Sequence, residues 1–178
     1  MHQDIKKIIV SRDQIQARAK ELAAEIHEYY KDEKAPILIA LLKGSVPFLA
    51  ELMTHIELDI EIDFMDVSSY EGTESIGDVR IIKDLNKSIK GENILLVEDI
   101  IDTGRTVHEV TNLLFNKGAK TVKTCSLLDK PSRRVVEVPV DFIGFEIENE
   151  FVVGFGLDFN EKYRQLPYVG VLKDELYQ

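Results

Sequence analysis

Apolar positions follow two different periods along this chain. From Ser11 to Tyr30 they fall at Ile15, Ala19, Leu22, Ala23 and Ile26, the spacing of a helix with one buried face. Ser11 and Gln14 at its start predict a capping box. Over Pro36–Leu42, Asn93–Glu98 and Thr121–Leu128, apolar residues run together without alternation. Short runs of this kind predict strands covered on both faces. Helical spacing returns over about 46–55, with Pro47 in the first turn, and over 106–116, with Gly118 just beyond. Glu61–Val67, Arg80–Lys83, Phe142–Ile147, Val152–Leu157 and Tyr168–Leu172 read as further strands. Strands alternating with helices imply an α/β fold, a mostly parallel sheet flanked by helices. Ile5–Val10 and the tail after Asp158 stand outside the alternation and are expected to pack together as a small hood. Ser68–Asp78 holds two glycines and three acids without an apolar period, and is expected to be a mobile loop.

Composition narrows the class. The 178 residues are expected to form one domain, 1–178, with a sizeable core. A hydrophobic fraction of 44% and a charged fraction of 30% belong to a globular chain. No stretch approaches the roughly 20 apolar residues of a membrane helix. Met1-His2-Gln3-Asp4 has no signal-peptide pattern. The single cysteine, Cys125, excludes an internal disulfide and lies in an apolar run, as a core residue would. A cytoplasmic protein is expected. The net charge of −10 argues against a broad nucleic-acid footprint. It leaves room for a phosphorylated ligand, because local donors and a divalent cation hold anions on acidic proteins.

In open α/β sheets, ligands bind at the carboxyl ends of the strands. Lys43-Gly44-Ser45 lies at one such end. It reads either as an anion-binding turn or as an ordinary turn with Ser45 as N-cap. Val97-Glu98-Asp99-Ile100-Ile101-Asp102-Thr103-Gly104-Arg105-Thr106 lies at another. Its adjacent acids point to opposite faces of a strand, yet both can reach ribose hydroxyls or a Mg²⁺ shell where the strand frays. Its turn offers amides and hydroxyls to a phosphate at a helix start. The bland alternative is a strand-end acid pair before a helix capped by Asp102. Asp158 and Arg164 fit either a metal and a phosphate or a solvated loop. Lys130 fits either a ligand carbonyl or the surface. The four histidines show no metal-ligand spacing.

The Val97–Thr106 segment closely resembles the phosphoribosyl-pyrophosphate motif of type I phosphoribosyltransferases, and the chain resembles their hypoxanthine-guanine branch. Leu42-Lys43-Gly44-Ser45 resembles that family's pyrophosphate loop, with Ser45 where many relatives have glycine. Ser69-Tyr70 resembles the serine-tyrosine pair of its lid. Lys130, Phe151-Val152 and Leu157-Asp158-Phe159-Asn160-Glu161 through Arg164 match its purine and pyrophosphate sites in order.

The resemblance implies the type I phosphoribosyltransferase fold and a reaction. Mg²⁺-bound phosphoribosyl pyrophosphate and hypoxanthine or guanine would give IMP or GMP plus pyrophosphate. Asp102, Thr103, Gly104, Arg105 and Thr106 would take the 5′-phosphate. Glu98 and Asp99 would hold the ribose diol and metal, with Asp158 near a second metal. Lys43, Gly44 and Arg164 would hold pyrophosphate. Phe151 would stack on the purine, Val152 and Asp158 would read its edge, and Lys130 would donate to its 6-oxygen. Asp102 would exchange a proton with N7 as catalytic base. The family implies a homodimer or homotetramer, with neither nucleic acid nor membrane as partner. The competing expectation is a regulator that senses phosphoribosyl pyrophosphate or nucleotides. Lys130 and Asp102 favour catalysis.

Overall fold

A computed structural model describes residues 1–69 and 79–177. The chain runs through β1 (Ile5–Val10), α1 (Arg12–Tyr30), β2 (Ile37–Leu41), α2 (Val46–Met53), β3 (Glu61–Ser69) and β4 (Val79–Lys83). It continues through β5 (Asn93–Ile101), α3 (Arg105–Asn116), β6 (Thr121–Asp129), β7 (Phe142–Glu146), β8 (Val152–Val153) and β9 (Val169–Leu172). Short 3₁₀ turns lie at Pro131–Arg133 and Asp174–Leu176. The expected lid pair falls at the limit of this description. Tyr70 lies outside the described residues, as does the rest of the expected loop up to Asp78, and for Ser69 only the backbone is described.

Six strands form one sheet in the order β4-β3-β2-β5-β6-β7. All pairs are parallel except β3 with β4. The unbroken apolar runs have a simple cause. In β2, Leu38 and Ala40 pack toward α1 and α2, among Ile15, Leu22, Phe48 and Leu52. Their neighbours Ile37, Ile39 and Leu41 pack toward α3, among Val107, Val110 and Leu114. β5 divides the same way, with Leu95 and Val97 on one side and Ile94 and Leu96 on the other. Both faces of these strands are core, so alternation has nothing to mark.

The capping box at the start of α1 forms in full. The Gln14 amide donates to Ser11 Oγ (3.2 Å), and the Ser11 amide donates to Gln14 Oε1 (2.8 Å). The five apolar residues predicted for its inner face are all buried. Cys125 is buried in the same core. Among the described residues, no helix is long and apolar enough to cross a membrane.

The terminal segments do pack together. β1 pairs with β9 and β9 with β8, all antiparallel, in a separate three-stranded sheet. Ile5, Val153, Leu166 and Leu172 form its small core.

Two expected strands need correction. Val152–Leu157 is a strand only at Val152–Val153, because Gly154 (φ 98°), Phe155 (φ 48°) and Gly156 (φ 102°) turn the chain. Gly154 and Leu157 close that turn with reciprocal amide-to-carbonyl bonds of 2.9 and 3.1 Å. The Asn93 strand, expected to end near Glu98, runs on to Ile101, because β6 pairs with it as far as Ile101 and Asp129. Its pairing with β2 ends earlier, at Ala40 with Val97. Beyond Val97, β5 therefore has one open side, at the carboxyl end of the sheet.

Candidate active site

The turn from Asp102 to Thr106 leads from β5 into α3. Gly104 adopts φ +83°, a region that costs residues with a Cβ. A Cβ there would also overlap the Val136 carbonyl. The turn is clamped from below. The Val135 and Val136 amides donate to the Thr103 carbonyl (2.9 and 3.0 Å). Arg134 Nη1 donates to the carbonyls of Ile101 (3.1 Å) and Asp102 (2.8 Å). Its Nη2 pairs with Asp129, and both side chains are buried. No side chain caps the start of α3. A cavity of about 100 Å³ lies there, lined by Asp102, Thr103, Gly104 and Thr106 together with Glu98 and Ile100.

Glu98 and Asp99 share a second cavity of about 210 Å³ with Leu42, Gly44, Ile100 and Thr106. Their placement differs from the expected frayed strand end. Both are strand residues, and both reach one cavity because β2 stops before them and opens the side of β5. Glu98 is buried, and that burial, reinforced by the Asp99 charge, holds its carboxyl well above the ordinary range. Burial likewise pushes Asp99 up to about 6, against the opposing effect of the Ile100 amide, which donates to its Oδ1 (2.8 Å).

Gly44 is fixed by the same carboxylate. A Cβ on residue 44 would overlap Asp99 Oδ2. The peptide joining Leu42 to Lys43 in this turn is cis. Ser45 is buried, with its hydroxyl donating to the Leu41 carbonyl, and it does not cap α2.

A third cavity of about 410 Å³ is lined by Ile100, Asp102, Lys130, Arg133, Phe151, Val152 and Tyr177, among others. Lys130 is buried, not a surface lysine. Its Nζ donates to the Glu150 carbonyl (2.6 Å), and burial pushes its pKa down, with Asp102 opposing. Arg133 Nε donates to Asp102 Oδ1 (3.1 Å). One face of Phe151 stacks on Tyr177 (centroids 4.7 Å apart, planes at 22°), and 37% of the residue stays exposed. Ile100 lines all three cavities, so they are neighbours at the carboxyl end of the sheet.

Lys43, Asp158 and Arg164 are not among the residues lining these three cavities, but they meet beside Gly44. Arg164 Nη1 donates to the Gly156 carbonyl (2.7 Å), and its Nη2 pairs with Asp158 Oδ1 (3.0 Å). A Cβ on Gly156 would overlap the Gly44 carbonyl, so the two loops touch backbone to backbone. Lys43 Nζ reaches Glu161 Oε2 (2.7 Å). Arg105 is exposed, and its amide makes only a long contact with Thr103 Oγ1 (3.5 Å). Among the described residues, no three His, Cys, Asp or Glu side chains are grouped to hold a metal by themselves.

Three site residues escaped the sequence reading. Arg133 and Arg134 sit in a charged stretch after Lys130, and Arg134 bonds mostly to backbone carbonyls, which no residue pattern marks. Tyr177 comes into the site from the far end of the chain.

The buried acid pair, the uncapped helix start and the cavity holding Phe151 and Lys130 fit a transferase of sugar phosphates. Residues 9–160 match the phosphoribosyl transferase domain family, and the chain belongs to that family. Its relatives fall in the hypoxanthine-guanine branch. A hypoxanthine-guanine phosphoribosyltransferase of Streptococcus pyogenes is 51% identical over 178 residues, covering 99% of this chain and 98% of that protein. The bifunctional TilS/HprT protein of Listeria monocytogenes is 48% identical, but the chain spans only 27% of its length. The crystal structure of a hypoxanthine phosphoribosyltransferase from Staphylococcus aureus superposes with a TM-score of 0.95 at 44% identity, over 100% of this chain and 97% of that one.

Proposed function

We propose that this chain transfers a 5-phosphoribosyl group from phosphoribosyl pyrophosphate to N9 of hypoxanthine or guanine, giving IMP or GMP and pyrophosphate. The observation that carries this reading is the set of three neighbouring cavities that share Ile100. One sits at an uncapped helix start, one between paired acids and a glycine turn, and one beside an exposed aromatic face and a buried lysine. They match the 5′-phosphate, the ribose with pyrophosphate, and the purine.

Asp102, Thr103, Gly104, Arg105 and Thr106 receive the 5′-phosphate, on first-turn amides and hydroxyls that need no cation. Lys43, the Gly44 backbone and Arg164 receive pyrophosphate. Phe151 stacks on the purine with the face turned from Tyr177. Val152 and Asp158 meet the purine edge through their backbones. The Lys130 ammonium, anchored by one hydrogen bond, has donors left for the 6-oxygen. A site built around a donor at that point disfavours adenine, whose 6-amino group accepts poorly.

N9 attacks the anomeric carbon as the bond to the pyrophosphate oxygen breaks, and the N7 proton passes to Asp102. The sugar carries oxocarbenium character on the way, as in glycosidic cleavage.

Glu98 and Asp99 suit Mg²⁺, with Asp158 near a second ion. Carboxylate oxygens are hard donors, and Mg²⁺ takes one or two of them while completing its shell with phosphates and water. Two acids pushed above their ordinary range by burial, Glu98 also by the Asp99 charge and Asp99 by that of Asp158, gain further from a nearby cation. When bound, Mg²⁺ neutralises the leaving pyrophosphate. The same reading treats residues 1–178 as one catalytic domain, acting in the cytoplasm as a homodimer or homotetramer.

The test is turnover. Purified protein with hypoxanthine, phosphoribosyl pyrophosphate and Mg²⁺ should form IMP and pyrophosphate in equal amounts, and chelation should stop it. Absence of turnover with hypoxanthine and guanine alike would refute the assignment.

A further inference from the structure

Glu161 has no role in the reaction described above, yet its carboxylate lies between the two cations assigned to pyrophosphate. Its Oε2 meets Lys43 Nζ at 2.7 Å, and its Oε1 meets Arg164 Nη2 at 3.0 Å. We propose that this carboxylate is an internal stand-in for the leaving pyrophosphate, displaced when the phosphoribosyl donor binds and restored when pyrophosphate leaves. The inference rests on the reading that Lys43, Gly44 and Arg164 form the pyrophosphate site.

The backbone aims Glu161 at this position. Asn160 (φ 50°) and Glu161 (φ 62°) are consecutive non-glycine residues in the left-handed region, an unfavourable arrangement for side chains with a Cβ. It persists only where the surroundings over-determine it. Here the Glu161 amide donates to Asp158 Oδ2 (2.8 Å), and Phe159 and Lys162 exchange amide-to-carbonyl bonds of 3.1 Å across the bend.

Arg164 is held independently of Glu161. Arg164 is anchored through Nη1 on the Gly156 carbonyl and through Nη2 on Asp158. Its Nε is buried without a hydrogen-bond partner. Lys43 adjoins Gly44, whose backbone abuts Gly156. Removing the carboxylate therefore leaves Arg164 in place and frees the Lys43 ammonium on a backbone that stays fixed.

Magnitude decides between a lock and a placeholder. The Lys43 and Glu161 side chains are each 63% exposed, and exposed ion pairs stabilise little. A doubly bridged but solvated carboxylate yields readily to a polyanion carrying several charges. The device lowers affinity for pyrophosphate, and with it the time pyrophosphate spends on the enzyme.

Calorimetric titration of the whole protein with inorganic pyrophosphate and Mg²⁺ tests this directly, with Glu161→Gln beside the wild type. Removing the competing charge should tighten pyrophosphate binding about 3- to 10-fold, the range expected from two exposed ion pairs. The KM for phosphoribosyl pyrophosphate should fall with it, while that for hypoxanthine stays unchanged. A wild type that binds pyrophosphate no more weakly than Glu161→Gln overturns the inference alone, and weaker binding by the variant makes Glu161 a strut for the two cations. A wild type that neither binds pyrophosphate nor turns over overturns the underlying assignment as well.

Discussion

Asp102 stands where the phosphate turn and the purine cavity meet. It lines both, and Arg133 holds one of its oxygens. An amide at this position keeps the shape but cannot accept a proton. Asp102→Asn should lower kcat about 100-fold or more, with the KM for phosphoribosyl pyrophosphate nearly unchanged. Steady-state kinetics in both substrates check this, and unaltered kcat would remove Asp102 as the base. Asp99 makes a pH prediction. Its folded-state value is raised from 3.8 to about 6 by burial. Between those values the unfolded chain releases a proton that the folded chain keeps, so stability falls as pH rises through the window and then levels off. Glu98 shifts in the same direction, through burial and the Asp99 charge, and adds to the fall. Urea midpoints of the ligand-free protein across pH 4–7 should show a shallower decline for Asp99→Asn than for wild type, and parallel curves would contradict this.

At the scale of elements, the site depends on β5 outrunning β2. The register of β5 with β6 carries Glu98 to Ile101 past the end of β2, into the gap that the Lys43–Gly44 turn borders. Arg134 secures this arrangement from the next connection, tying the ends of β5 and β6 together through Asp129 and two carbonyls. Arg134→Met should destabilise the protein by about 3 kcal/mol, because it strands a buried carboxylate. Equilibrium urea unfolding measures it, and a change below about 1 kcal/mol would mean that Asp129 finds another partner. None of this was legible in advance. The sequence marked where β5 begins, through its apolar run. Its end lies at Ile101 and not at Glu98, because pairing with β6 continues past the two acids, and that is a property of the sheet.

At the scale of the molecule, the hood brings Tyr177 to the site and ties it to β1. Lys6 in β1 pairs with Asp174, Asp174 accepts from the Tyr177 hydroxyl, and Tyr177 stacks on Phe151. An aromatic pair contributes about 0.5–1.5 kcal/mol. Tyr177→Ala should therefore raise the KM for hypoxanthine about 2- to 10-fold while leaving that for phosphoribosyl pyrophosphate alone. Equal changes in both would point to a general loosening of the hood.

What the sequence determined by itself was local. The capping box of α1, the doubly buried strands, the glycine turn before α3 and the acid pair all follow from residue types within a few positions of one another. The hood as an outlier from the alternation was legible too. Only the tertiary structure decided that Glu98 and Asp99 share a cavity, that Lys130 is buried, that Gly44 makes room for Asp99, and that Arg134 and Tyr177 belong to the site. These depend on contacts between positions tens of residues apart or more. Which distant residues meet is fixed by the order and register of strands, and a pattern read along the chain carries neither.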